Sequence, residues 1–215
     1  MKPQIYILIF GILIFGCKSE KGEYEIINQT KIVNKENCKI QISFPKIKGI
    51  KSKEKLIKLN ELLENIPEHE YYAKNCGKTE TGKFKVKGEY EILLKTDSIL
   101  SIEFRTLINR EKQKTDTIYQ SIVLNPNRKI KSEFYELLIN IENVIPNFER
   151  GMIYPFIKKY SLENKLAINL LAYETGSNYA ITWAITKDNI IFYTGGEGEM
   201  FGNNKIEIPL NKLKK

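Results

Sequence analysis

Apolar and polar residues alternate along several short stretches of the chain, and this pattern constrains the fold most strongly. The clearest run places Leu100, Ile102, Phe104, Thr106 and Ile108 at every second position, as in a strand with one buried face. Further strands are predicted at 32–44, 84–94, 118–124, 165–173, 179–186, 190–193 and 205–210. Several connections between them are short, which indicates antiparallel pairing.

Two other stretches carry apolar residues at helical spacing. Ser52 is the predicted N-cap of a helix that ends before Pro67, and a second helix is predicted from Ser132 to Pro146. The segment from Pro67 to Thr81 is predicted to be irregular. Together these elements predict an α+β fold, in which an antiparallel or mixed sheet has its helices packed on one face.

The start of the chain resembles a bacterial lipoprotein signal. Met1 and Lys2 are followed by an uncharged stretch of twelve residues, 5–16. A helix needs about 20 apolar residues to span a membrane, whereas twelve suit the apolar region of an export signal. Small Gly16 comes directly before Cys17, as in the lipobox, where the cysteine thiol receives diacylglycerol.

This resemblance implies a division of the chain into three parts. We expect a signal peptide at 1–16, a tether at 17–30 that begins with lipidated Cys17, and a single α+β domain at 31–215. Acyl chains on Cys17 would anchor the protein to a membrane of the bacterial cell envelope, facing either the periplasm or the outside. The alternative is a buried N-terminal element that ends in an ordinary cysteine.

The chain is basic, with 34 Lys and Arg against 26 Asp and Glu and a formal charge of +8. The charges are spread along the chain and mixed in sign, and an exported protein rarely meets nucleic acid, so we expect no nucleic-acid partner. One dense run contains Lys46, Lys48, Lys51, Lys53, Lys55 and Lys58. We interpret it as the solvated face of a helix and of the strand before it. The alternative is attraction to anionic lipid headgroups or to an acidic partner.

Two cysteines remain beyond Cys17. In an exported protein Cys38 and Cys76 are expected to form a disulfide, and closing a loop of about 39 residues would stabilise the fold by about 4 kcal/mol. His69 is the only histidine, and its spacing from the two thiols matches no usual zinc pattern. We therefore predict no metal site, no cofactor and no catalytic residues.

Two further features could suggest a ligand site. The stretch Gly195–Gly202 is rich in glycine, but it lacks the Lys-Ser/Thr ending of a phosphate loop, and Glu197 and Glu199 would repel phosphate. We interpret it as a hairpin loop. Six of the aromatic residues could line a ligand groove, but we expect them to pack a sheet face more than to line a groove. They are Tyr71, Tyr72, Tyr173, Tyr179, Trp183 and Tyr193.

Three stretches resemble a known family. They are 42–49 with Asn60 in the next helix, 98–105, and the pair 189–193 and 205–210. In these stretches the chain is similar to the extracellular domain of unknown function found in lysozyme-binding anti-sigma factors and beside the catalytic domain of some peptidoglycan deacetylases. The loop 194–202 departs from the family pattern, and the metal-binding histidines of the deacetylase domain are absent from the sequence. The resemblance therefore implies a fold and an envelope location, and it transfers no catalytic activity.

These observations favour a lipid-anchored envelope protein that acts as a non-catalytic binding module for a protein or a wall glycan. Two alternatives stay open at this point. One is an envelope hydrolase or glycan-modifying enzyme, which would need two convergent acids or a metal in a cleft. The other is an immunity lipoprotein that blocks an exported toxin.

Overall fold

A computed structural model describes residues 24–35, 37–75, 84–111, 115–128, 134–147, 152–164, 182–194 and 204–213. Within these ranges the first five strands form one sheet, in chain order. They are β1 (Glu25–Lys35), β2 (Cys38–Lys48), β3 (Phe84–Lys95), β4 (Leu100–Arg110) and β5 (Asp116–Leu124). A second, three-stranded sheet contains β6 (Thr182–Ile185), β7 (Asn189–Thr194) and β8 (Asn204–Pro209). The helices are α1 (Lys53–Asn65), α2 (His69–Asn75) and α3 (Tyr154–Asn164).

The five-stranded sheet is mixed. β2 and β3 run parallel, and the other neighbours in both sheets pair antiparallel. A parallel pair needs a long crossover connection, usually a helix, and α1 and α2 lie in the connection between β2 and β3. The predicted α+β class with an antiparallel or mixed sheet is therefore confirmed.

Two hydrophobic cores lie on the outer sides of the two sheets. In the first core, Leu59 and Leu63 of α1 pack against one face of the five-stranded sheet, including Phe104 of β4. In the second, Ile157 of α3 packs against the three-stranded sheet, including Phe192 of β7. Helices thus cover both outer faces, where the sequence predicted helices on one face of a single sheet.

The two sheets meet on their inner faces. Ala184, Ile191 and Tyr193 of the second sheet are buried there against Leu93 and Tyr119 of the first sheet. The order of layers is therefore helix, five-stranded sheet, three-stranded sheet, helix.

The start of α1 is capped as its sequence predicts. The hydroxyl of Ser52 accepts a hydrogen bond from the backbone N–H of Lys55 at 3.4 Å, which satisfies one of the donors left open in the first turn. Leu59 and Leu63, one turn apart, are fully buried. Their spacing places both on the face that packs against the sheet.

The close contact between β2 and β3 explains why position 88 is a glycine. Gly88 pairs with Ile42 of β2 on one side and with Thr106 of β4 on the other. A Cβ atom on Gly88 would lie 2.9 Å from both Cγ1 and Cγ2 of Ile42, which is shorter than van der Waals contact allows. Further along β3, the register of its pairing with β4 shifts between Ile92 and Leu94.

Three predicted elements differ from the structure. The strand predicted at 32–44 is two strands, β1 and β2, which form an antiparallel hairpin. The segment 67–81, predicted to be irregular, contains α2. The helix predicted from Ser132 to Pro146 is wrong for the part that the structure describes, because residues 134–137 and 141–143 form two short 3-10 helices.

The reason for the third difference is that two apolar residues of this segment pack in different places. Leu137 is buried in the first core, whereas Ile145 is buried in the second core. A single helix would place residues eight positions apart on one face. The backbone instead bonds along β5, where the N–H of Ile139 donates to the carbonyl of Val123 at 2.9 Å.

Across the described ranges, no helix has the length and apolar character needed to cross a membrane.

Candidate functional site

A groove lies between α1 and the first two strands. Its volume is about 480 Å³. It is lined by residues 29–31 of β1, by Phe44 and Lys46 of β2, and by one side of α1 from Lys53 to Glu64. We call it the α1 groove. It is formed because α1 crosses the sheet next to β1, which is an edge strand.

Asn60 fixes α1 over this part of the sheet. Its side-chain oxygen accepts a hydrogen bond from the backbone N–H of Ile47 at 2.7 Å, and its side-chain nitrogen donates to the carbonyl of Ile47 at 3.1 Å. One amide thus satisfies both polar groups of a buried residue, as a neighbouring strand would. This contact gives a structural role to the Asn that belongs to the sequence resemblance.

The floor of the groove combines a charge with an aromatic ring. The ammonium group of Lys31 lies 5.9 Å from the ring centroid of Phe44, within the range of a cation–π contact. Lys31 also forms an ion pair with Glu64 of α1. These contacts hold the long lysine side chain along the groove.

The walls of the groove present both apolar surface and charges of both signs. Leu56 and Ile57 supply apolar surface, and Ile57 is 47% exposed. Lys46 and Lys53 line the groove, as does Glu61. An open groove with mixed lining can bind a ligand that offers hydroxyl, amide or charged groups together with apolar patches.

A second polar group, the inter-sheet cluster, is buried between the two sheets. It consists of Glu103, Tyr193 and Lys205. Glu103 is only 5% exposed. Its carboxylate accepts a hydrogen bond from the hydroxyl of Tyr193 and forms an ion pair with the ammonium of Lys205 at 3.1 Å. The ring of Tyr193 stacks on Tyr119 with 5.9 Å between centroids.

The cluster shifts the pKa of two of its members. Burial raises the pKa of the Tyr193 hydroxyl, and the adjacent Glu103 raises it further. Burial alone would lower the pKa of Lys205, but the hydrogen bond and charge of Glu103, with smaller effects from Glu207 and Glu91, raise it. Both groups therefore stay protonated at neutral pH, which fits a structural tie between sheets.

Two serine hydroxyls add to the connection between the sheets. Ser101 of β4 is fully buried, and its hydroxyl accepts a hydrogen bond from the backbone N–H of Ile185 at 3.0 Å. The hydroxyl of Ser121 donates to the carbonyl of Trp183 at 2.8 Å. These bonds satisfy backbone groups of β6, an edge strand of the second sheet.

The predicted cysteine and histidine sites fall in different parts of the chain. Cys17 and Cys76 lie outside the described residues, so lipidation and the disulfide stay predictions. Cys38 begins β2 and is 3% exposed, and His69 is the first residue of α2. In the described part of the chain, no three His, Cys, Asp or Glu residues are grouped so that they could hold a metal ion.

The aromatic residues and the glycine-rich loop are only partly described. Tyr72 and Tyr193 are buried, as expected for core residues, whereas Tyr71 is 61% exposed. Trp183 packs at the margin of the second core. Tyr173, Tyr179 and the stretch Gly195–Gly202 with Glu197 and Glu199 lie outside the described residues.

The dense lysine run is not uniformly solvated. Lys46, Lys48, Lys51 and Lys53 are exposed. Lys55 is buried, and its ammonium donates to the carbonyl of Arg128 at 2.8 Å. Burial lowers the pKa of Lys55. The interpretation as a solvated face therefore fits the first four lysines and does not fit Lys55.

Sequence reasoning missed both the α1 groove and the inter-sheet cluster. The groove depends on where a helix crosses an edge strand, which no local pattern reports. The signal for the cluster was present in β4, where Ser101 and Glu103 occupy the positions opposite the apolar face. Alternation alone assigns such positions to solvent, and a second sheet covers them here.

The geometry defines a four-layer α+β protein with a helix-lined groove at one sheet edge. A scan against protein-family models finds no match, and a search of curated proteins finds no relative. Among solved structures, the chain is similar to a DUF3298 family protein from Pseudomonas aeruginosa, with a TM-score of 0.51 and 10% identity over 89% of this chain and 92% of that one. A DUF3298 member from Bacteroides fragilis gives a TM-score of 0.45 and 11% identity over 88% and 90%.

The structural neighbours are thus proteins of a domain-of-unknown-function family. At 10% identity the first likeness shows that the two chains share a fold. This supports the resemblance to a domain of unknown function at the level of fold.

Proposed function

We propose that the chain is a lipid-anchored protein of the bacterial cell envelope that binds a protein or a wall-glycan ligand without catalysing a reaction. The signal-like start with Cys17 supports the anchor. The likeness in fold to a domain-of-unknown-function family is consistent with an envelope module.

The observation that carries the binding role is the α1 groove. It is open, and it joins apolar surface on Ile57 to charged side chains of both signs. The inter-sheet cluster is a weaker candidate, because its carboxylate is already bonded to Tyr193 and Lys205. The groove is therefore where we place the ligand.

The binding role can be tested with immobilised protein and extracts of the cell envelope. We expect capture of an envelope protein or of wall-glycan fragments at micromolar concentration, and lysozyme is a first soluble ligand to assay. The variant Ile57→Glu adds a charge to the groove and should weaken the captured interaction. Leu162→Glu is the matched control, since Leu162 is also an exposed helix residue, at 72%, but lies on α3.

The two variants separate groove binding from surface adhesion. An interaction lost with Ile57→Glu and kept with Leu162→Glu supports the proposal. Equal loss in both variants, or no envelope ligand at micromolar concentration, contradicts it. The anchor is tested separately by mass spectrometry of the native protein, where we expect an N-terminal Cys17 that carries acyl chains. An unacylated N-terminus that starts at Met1 would contradict that part.

A further inference from the structure

Exposed lysines gather where the described chain begins. Two of them lie at the end of β2, one lies on the connection that follows, one begins α1, and a fifth ends β3. They are Lys46, Lys48, Lys51, Lys53 and Lys95. We call this surface the basic end.

The register of the first sheet places the start of β1 at the basic end. Glu25, the first residue of β1, is paired with Lys48. On the other side, the ammonium of Lys95 donates to the carbonyl of Tyr24 at 3.2 Å and lies 4.9 Å from the centroid of its ring. The chain that leads back toward Cys17 therefore leaves the domain between these lysines.

Acidic residues offset only part of this charge. Among the described residues, Glu25 and Asp97 are exposed beside the lysines, which makes two acids against five lysines. Glu54 at the start of α1 is already paired with Lys58 at 2.7 Å. The basic end thus complements a negatively charged surface.

The short distance to the predicted anchor at Cys17 indicates that this negatively charged surface is a membrane. Six residues separate Cys17 from Tyr24, and a chain of this length reaches at most about 25 Å. If Cys17 carries acyl chains, the basic end is held within this distance of lipid headgroups. We propose that the basic end docks on a bilayer that contains anionic phospholipid, and this rests on the lipid anchor of the proposed function.

Docking would fix the orientation of the domain relative to its membrane. Each lysine close to an anionic surface favours the bound orientation by about fivefold. The attraction decays over about 8 Å at physiological ionic strength, so that only lysines at the headgroups contribute. The short tether brings these lysines close, and their charge then selects one orientation among those that the tether permits.

The test uses the lipidated protein, purified from bacterial membranes and reconstituted into vesicles. One set of vesicles contains phosphatidylcholine alone, and the other also contains phosphatidylglycerol. Flotation reports the anchor, and acetylation of lysine amines, read by mass spectrometry, reports docking. We expect Lys48 and Lys51 to react several-fold more slowly on phosphatidylglycerol vesicles, and high salt to remove the difference. Lys159 of α3, with a side chain 74% exposed, is the internal control and should react equally on both.

A charge variant tests the cause of the protection. The double variant Lys48→Gln with Lys51→Gln leaves the lining of the α1 groove unchanged, because neither residue lines it. It should float normally and lose most of the protection at Lys46 and Lys53. The matched control is Lys158→Gln with Lys159→Gln on α3, which should keep that protection.

The outcomes separate the two proposals. Flotation without lipid-dependent protection overturns the docking and leaves the anchor standing. Equal protection on both kinds of vesicle also overturns it, because the effect would not depend on anionic lipid. Failure to float with either kind overturns the anchor and the docking together.

Discussion

Replacing Glu103 by alanine should destabilise the protein, because this carboxylate makes both polar contacts of the inter-sheet cluster. The substitution removes the acceptor of the Tyr193 hydroxyl and the ion-pair partner of Lys205. Tyr193 is 2% exposed, so that its hydroxyl loses its partner away from water. The change also leaves a small void between the sheets.

The magnitude follows from these two losses. A buried hydroxyl without a partner costs about 1–3 kcal/mol. Lys205 contributes less, since its side chain is 29% exposed and Glu207 remains 3.7 Å away, and an exposed pair contributes about 0–1 kcal/mol. We therefore expect Glu103→Ala to lower the free energy of unfolding by about 1–4 kcal/mol.

Urea denaturation followed by tryptophan fluorescence measures this change, because Trp183 lies in β6 at the edge of the second sheet. Glu207→Ala is the matched control, since Glu207 pairs with the same lysine but is 52% exposed, and it should cost less than about 0.5 kcal/mol. In a double-mutant cycle, Glu103→Gln and Tyr193→Phe should couple by about 1 kcal/mol or more. A Glu103→Ala variant within about 0.5 kcal/mol of the native protein, or equal effects at Glu103 and Glu207, would refute the reasoning.

Three further changes test other parts of the structure. Asn60→Ala leaves both polar groups of Ile47 without their bonds and should lower the free energy of unfolding by about 1.5–3 kcal/mol in the same assay, so that a neutral result would contradict the role given to this amide. Gly88→Ala places a methyl group against Ile42 and should lower the free energy of unfolding by about 1–2 kcal/mol, even though replacing glycine reduces the conformational entropy of the unfolded chain. A stabilised variant would show that β2 and β3 are not so close. Because the folded-state pKa of Tyr193 is raised, its contribution to stability is fully present below about pH 10 and is lost as the pH rises further, by up to about 1.4 kcal/mol per pH unit. Denaturation between about pH 9 and 11 should show a smaller decline in Tyr193→Phe than in the native protein, and an identical decline would contradict the buried hydrogen bond.

Local patterns predicted the elements whose partners are close in the chain. The alternation at 100–108 gave β4, and the spacing of apolar residues after Ser52 gave α1 with its cap. Both are set by the period of the backbone and by side chains one turn or two residues apart. Such elements can be predicted from the local sequence without knowledge of the rest of the fold.

The missed elements depend on contacts with distant parts of the chain. The turn between β1 and β2 follows Lys35 and contains Asn37, but apolar residues on both sides gave the appearance of one strand. The apolar residues of the segment 134–147 are shared between two cores, a division that their spacing cannot reveal.

The candidate site was less predictable than the fold. Asn60 was singled out only through the resemblance, and its hydrogen bonds with Ile47 appear once α1 crosses the sheet. The polar positions of β4 look solvent-facing in isolation, because the strands that cover them come about 80 residues later. A groove and a buried cluster both need the relative placement of elements.

The four-layer order has a consequence for how the molecule opens. Each sheet has its main core on its outer side, with its own helix, while the layer between the sheets is thin and held partly by polar bonds. The two sheets should therefore separate most easily where the hydrogen bonds between Ile185 and Ser101 and between Tyr193 and Glu103 connect them. Separation along it would leave two halves that each keep most of their apolar contacts, so that partial unfolding by halves costs less than global unfolding.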